Sequence, residues 1–185
     1  MTMLRLAALA ALILASSFAQ AHVQGGAWHT HGLRDGLLHP LTGLDHLLAM
    51  LAVGIWSVRQ DSARWLPACF LATMLIGVLS GVAGLAIPGL ETGVAITVAL
   101  LGLLVAAAVR LPDFAAGLML AAFAILHGNA HGHELPEVAS TAGLMLSSAV
   151  LIYAGRQLGQ AVPAALLKWT GAAIAATGAM LVTLA

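Results

Sequence analysis

Six apolar segments, each close to the length of a membrane-spanning helix, constrain this chain more than any other feature of its sequence. A helix rises about 1.5 Å per residue, so about 20 apolar residues cross the roughly 30 Å hydrocarbon core of a bilayer. Hydrophobic residues make up 61% of the chain and charged residues 8%, which excludes an ordinary soluble domain. We therefore predict an all-α fold, a polytopic bundle of six transmembrane helices in the lipid bilayer, at 40–58, 65–87, 91–109, 114–130, 140–159 and 166–184.

The first 21 residues have the features of a secretory signal peptide. Arg5 supplies a positive n-region, residues 6–15 an apolar core, and Ala19-Gln20-Ala21 a cleavage site of the A-x-A type. This core is shorter than the roughly 17 residues that a span needs, so we expect cleavage; an uncleaved first helix is the alternative. The predicted organisation is a signal peptide at 1–21, a histidine-containing periplasmic arm at 22–38 and the six-helix transmembrane domain at 39–185.

The positive charges between the segments predict how the chain is oriented. Alternate links carry or adjoin the basic residues Arg59, Arg64, Arg110, Arg156 and Lys168. Because such links face the cytoplasm, the mature N-terminus and the C-terminus are both expected on the outer side of the membrane. Three helices per half would invert the second half relative to the first, as in many secondary transporters.

Small residues on two of the predicted helices indicate close helix packing. Gly77 and Gly81 form a G-x-x-x-G pattern, and Gly171, Ala175 and Gly178 give the last helix a face without large side chains. Such residues let helix backbones approach each other inside a membrane.

Two short stretches, 39–50 and 123–134, place ionisable side chains in otherwise apolar sequence. An ionisable residue inside a membrane span is a functional candidate by default. The predicted orientation brings both stretches to the outer side of the membrane, where we predict that they form a metal site. Its predicted ligands are His39, Asp45, His46, His127 and His131.

Local sequence rules refine this site. Proline favours the first helical position, so Pro40 is expected to begin the helix and leave His39 at its mouth as a mobile ligand. Imidazole and carboxylate without thiolate favour nickel, cobalt, copper(II) or zinc over calcium or magnesium. Residues predicted to assist metal entry or to serve as auxiliary ligands are His22, His29, His31, His133, Glu134 and Met50.

The two histidine motifs resemble those of a known family of membrane proteins. His39-Pro40-Leu41-Thr42-Gly43-Leu44-Asp45-His46 and Phe123-Ala124-Ile125-Leu126-His127-Gly128-Asn129-Ala130-His131-Gly132-His133-Glu134 are similar to those of the HupE/UreJ family of bacterial inner-membrane proteins. The resemblance implies a nickel or cobalt permease or accessory protein that supplies hydrogenase or urease, with nickel-enzyme maturation proteins as partners and without a prosthetic group. It implicates His39, Asp45, His46, His127, His131 and Glu134.

The functional hypothesis is uptake of a divalent ion, nickel first and cobalt next, by a protein that is not an enzyme. Nothing in the zero net charge suggests nucleic acid, and no nucleotide-binding motif is present, so transport would be channel-like or secondary. Two alternatives stay open. One is an intramembrane zinc-dependent hydrolase, and the other is a metal sensor or chaperone that does not transport.

Overall fold

The computed structural model describes residues 32–61 and 64–185, and every regular element in these ranges is an α-helix. The seven helices are α1 (Leu33–Thr42), α2 (Leu44–Ser57), α3 (Leu66–Val82), α4 (Leu90–Ala106), α5 (Asp113–Glu134), α6 (Val138–Ala161) and α7 (Ala164–Val182). The prediction of an all-α fold is confirmed. The predicted signal peptide at 1–21 and the predicted auxiliary ligands His22, His29 and His31 lie outside the described residues.

The lengths and compositions of these helices are those of a multi-pass membrane protein. Helices α5, α6 and α7 are each long and apolar enough to cross a bilayer. Helices α1 and α2 form a fourth candidate span together, bent by 81° at their junction. Helices α3 and α4 are apolar and have 17 residues each, which corresponds to about 26 Å.

The junction between α1 and α2 corrects one prediction. Pro40 does not begin a helix, because α1 already begins at Leu33 and contains Pro40. His39 therefore lies in the last turn of α1 rather than ahead of a helix. The break falls at Gly43, whose extended backbone (φ −81°, ψ 111°) ends α1 and precedes α2.

The second histidine motif also differs from the prediction in its boundary. Gly132 and Pro136 indicate a link that begins near residue 131, but α5 continues to Glu134. The end of the motif is therefore helical, and His131 and Glu134 are three residues apart on one helix face.

Helix α2 is the most buried element of the bundle. It contacts α6 and α4, while α3 packs along α5, α4 along α7, and α1 along α6. Met50, Val53 and Trp56 are completely buried along α2. Burial of these side chains among the surrounding helices fixes the position of α2.

Polar side chains tie the end of α2 that is distant from His46 to the link between α4 and α5. Trp56 Nε1 and Gln60 Nε2 donate to the Val109 carbonyl at 2.9 and 3.0 Å. The Leu111 amide donates to Gln60 Oε1 at 3.0 Å. These bonds satisfy backbone groups that the link between two helices would otherwise leave without partners.

The predicted small-residue packing is confirmed in detail. A Cβ atom added at Gly77 would collide with the Ile125 carbonyl of α5, and one at Gly81 would collide with the Asn129 carbonyl. On the last helix, a Cβ atom at Gly171 would meet the backbone of Ala106 in α4. The backbones of these helix pairs are therefore close enough that only glycine fits.

Replacing Gly77 by alanine should destabilise the bundle, because α3 and α5 would have to separate. We expect Gly77→Ala to lower the free energy of unfolding by about 1–3 kcal/mol. Gly93→Ala in α4 is the matched control, since its nearest neighbour, Leu126 Cδ1, is at an ordinary 3.5 Å. Thermal unfolding of the full chain in detergent measures both variants. Equal melting temperatures for the two variants would contradict the packing described here.

Candidate metal site

Four of the five predicted ligands meet where α1, α2 and α5 approach one another. The ring centroids of His39 and His131 are 4.8 Å apart, and those of His46 and His131 are 4.4 Å apart. The ring centroids of His46 and His127 are 5.9 Å apart. The side chains of His46 and His127 are completely buried, and His131 is 5% exposed. The structure thus gathers histidines from both motifs into one cluster.

At the more exposed side of the cluster, His39, His131 and Glu134 bring three ligand atoms together; we call these residues the three-ligand group. Glu134 Oε2 is 2.9 Å from His39 Nε2 and 3.0 Å from His131 Nδ1. The two imidazole nitrogens are themselves 3.0 Å apart. Ligand atoms of a tetrahedral ion with bonds of 2.0–2.1 Å are roughly 3.3 Å apart, so small side-chain shifts would accommodate a first-row divalent ion.

His127 has one ring nitrogen held and the other left without a hydrogen bond. Its Nδ1–H donates to the Phe123 carbonyl at 3.1 Å, and Thr97 Oγ1 lies 3.5 Å from the same nitrogen. The buried Nε2 has no hydrogen-bond partner among the described residues. A donor nitrogen fixed by a carbonyl, with a lone pair on the opposite nitrogen, is the arrangement that metal-binding histidines adopt.

His131 joins the three-ligand group to the buried histidines. While its Nδ1 faces Glu134, its Nε2 lies 2.6 Å from His46 Nδ1. The other nitrogen of His46, Nε2, is 2.9 Å from Ser148 Oγ in α6. One imidazole therefore contacts a partly exposed group through one nitrogen and a buried group through the other.

The remaining predicted residues take different positions. Asp45 is partly buried in the first turn of α2, where a carboxylate is favoured by the helix dipole, and it accepts the His46 amide at 2.7 Å. It does not belong to the three-ligand group. Met50 is fully buried in the apolar core. His133 is exposed and donates from Nε2 to the Leu85 carbonyl at 3.3 Å.

The structure shows partners for three polar residues, Glu134, Asn129 and Ser148, whose contacts do not follow from the sequence pattern. Glu134, which residue chemistry predicts only as auxiliary and the family resemblance implicates, contacts two histidines. Its i,i+3 spacing from His131 indicates this contact once the helix is known to continue. Asn129 donates to Ser80 Oγ and to the Leu85 carbonyl, which ties α5 to the end of α3. Ser148 is one of several hydroxyl-bearing residues in α6, so the sequence gives no indication of its partner.

The fold and the site define a class: an all-helical, multi-pass membrane protein with a histidine and carboxylate cluster built from separate helices. The chain belongs to the HupE/UreJ family, since the family described as "HupE / UreJ protein" matches residues 10–181. It is 43% identical over 150 residues to Protein HupE of Rhizobium leguminosarum bv. viciae, covering 78% of this chain and 76% of that protein. No solved structure matches the chain. The family resemblance of the two motifs is confirmed.

Removing the charge of Glu134 should weaken metal binding, because this carboxylate is the anionic member of the three-ligand group. We expect Glu134→Gln to lower the affinity for nickel or cobalt by about tenfold or more. Isothermal titration calorimetry on the full chain in detergent measures the change.

Glu137→Gln is the control for this experiment. It removes the same charge three residues further along, just before α6 and outside the three-ligand group. If both variants bind the ion as the unmodified protein does, Glu134 is not a ligand.

Proposed function

We propose that this protein takes up a divalent transition-metal ion, nickel first and cobalt next, across the bacterial inner membrane. The observation that carries the proposal is the double contact of His131, with Nδ1 in the three-ligand group and Nε2 beside buried His46. An ion captured by the three-ligand group can reach the buried histidines by exchanging ligands around His131. Membership of the HupE/UreJ family supports nickel and cobalt as the cargo.

The ligand chemistry agrees with this choice of cargo. Imidazole nitrogens with one carboxylate suit borderline ions such as nickel and cobalt, whereas calcium and magnesium prefer oxygen ligands alone. Glu134 offsets part of the charge of the ion at the partly exposed position, where its side chain is 48% exposed. His46 and His127 then offer two buried imidazole nitrogens as further ligands, and the partly buried carboxylate of Asp45 beside His46 can offset part of the charge of the ion.

Six membrane crossings complete the proposal. The bent pair of α1 and α2 forms the first crossing, and α3 to α7 form the other five. The basic links then face the cytoplasm, and both termini of the chain, after removal of residues 1–21, lie in the periplasm. The three-ligand group is at the periplasmic side in this arrangement.

The helix contacts support an inverted repeat of three crossings in each half. Such a repeat pairs the first crossing with the fourth, the second with the fifth and the third with the sixth. When the two halves are exchanged in this way, the contact of α3 with α5, which joins crossings two and four, becomes a contact between crossings five and one. That contact is present as the packing of α6 against the α1–α2 pair. The contact of α4 with α7 maps onto itself. The most extensive helix contacts thus have the pattern expected for two inverted halves.

Transport by the protein alone is the decisive test. We expect proteoliposomes that contain only the full chain to accumulate radioactive nickel or cobalt. His131→Ala should reduce the initial rate by about tenfold or more, because it removes a ligand from both ends of the proposed transfer. His133→Ala, which alters a neighbouring exposed imidazole, should retain most of the rate.

Absence of uptake with tight binding retained would overturn the proposal and favour a metal sensor or chaperone. If His131→Ala takes up the ion at an unchanged rate, the ion does not pass through His131 and the proposed transfer is wrong.

Asp45 provides a separate test of the first motif. We expect Asp45→Asn to lower the uptake rate by about tenfold, because its charge lies beside His46 at the start of α2. Asp113→Asn is the matched control, since Asp113 is also acidic and in the first turn of a helix, α5. Near-normal uptake by the Asp45 variant in the proteoliposome assay would mean that this carboxylate has a structural role only.

A further inference from the structure

Ser148 makes a contact that its neighbour in sequence does not make. Its side chain is completely buried, and its hydroxyl lies 2.9 Å from His46 Nε2 across the interface of α6 and α2. Ser147 is also buried, but its hydroxyl lies 3.1–3.5 Å from three backbone carbonyl acceptors, those of Gly36, Gly143 and Leu144. Of these two adjacent hydroxyls, only that of Ser148 is directed to a histidine of the cluster.

The hydrogen bonds of the cluster have a single direction when the imidazoles are neutral. The Glu134 carboxylate only accepts, so His131 donates to it from Nδ1 and carries a lone pair on Nε2. His46 Nδ1–H then donates to that lone pair, and His46 Nε2 accepts the proton of the Ser148 hydroxyl. The bonds thus run from Ser148 through both imidazoles to Glu134.

An ion bound between His46 and His131 reverses one of these bonds. His46 can ligate through Nδ1 only if that atom has a lone pair, so its proton must move to Nε2. This change of tautomer leaves the charge of the neutral ring unchanged. The Ser148 hydroxyl, which can accept as well as donate, is able to bond the ring in either form.

We propose that Ser148 is a positioning residue for the metal ion: it holds the His46 ring with Nδ1 toward His131 in both tautomers. This inference rests on the proposed function, in which the ion reaches His46. Partners that orient a ligating histidine in this way typically change metal affinity by about 10–100-fold when they are removed. Ser148 is therefore expected to affect the ion without contacting it.

Cobalt(II) binding to the full chain in detergent tests the proposal. We expect Ser148→Ala to weaken cobalt affinity by about 10–100-fold and to change the visible ligand-field absorption of the bound ion. Ser148→Thr keeps the hydroxyl and should restore the spectrum, with an affinity within about threefold of the unmodified protein. Ser147→Ala, which also removes a buried hydroxyl from α6, should keep both the affinity and the spectrum.

The outcomes separate the two proposals. If Ser148→Ala has the affinity and the spectrum of Ser147→Ala, the positioning role is wrong. If Ser148→Thr melts at the same temperature as the unmodified protein but behaves like the alanine variant, the hydroxyl is not the active group and the inference is also wrong. If the unmodified protein does not bind cobalt or nickel, the proposed function itself fails, and this inference fails with it.

Discussion

Buried imidazoles need polar partners, and the arrangement of the helices around His46 and His127 follows from this need. A polar nitrogen removed from water costs free energy unless it finds a hydrogen bond or a ligand. The partners of His46 come from two other helices, because Ser148 is on α6 and His131 is on α5. These two helices must therefore approach α2 closely, while Thr97 of α4 lies beside His127 of α5.

Glycine makes that approach available. A side chain at Gly54 of α2 would collide with the backbone of Ile152 in α6, and one at Gly155 of α6 would collide with Leu51. Gly36 of α1 is equally close to the Ser140 carbonyl. The contact of α6 with both α1 and α2 thus brings Ser148 within hydrogen-bonding distance of His46 and supports the bend at Gly43.

The sequence predicts the features that depend on local spacing, but not the helix bounds that depend on long-range packing. The convergence of the two motifs and the shared face of His127 and His131 follow from helical periodicity and from the alternation of basic links. The position of Pro40 does not follow, because proline also occurs within helices that packing stabilises, and here α1 is packed on α6. The contacts of Glu134 do not follow for a related reason: glycine and proline near the end of α5 are typical of a link, although the helix continues to Glu134.

Nε2 of His127, which has no hydrogen-bond partner in the described part of the chain, has a thermodynamic consequence. A buried lone pair without a hydrogen bond is unfavourable by about 1–3 kcal/mol. A ligand at this atom removes an unfavourable term that the folded chain already carries, and it gains that free energy in addition to the bond itself. Occupancy and folding are then linked, so the concentration of a metal ion that binds at this atom would help to set the stability of the protein.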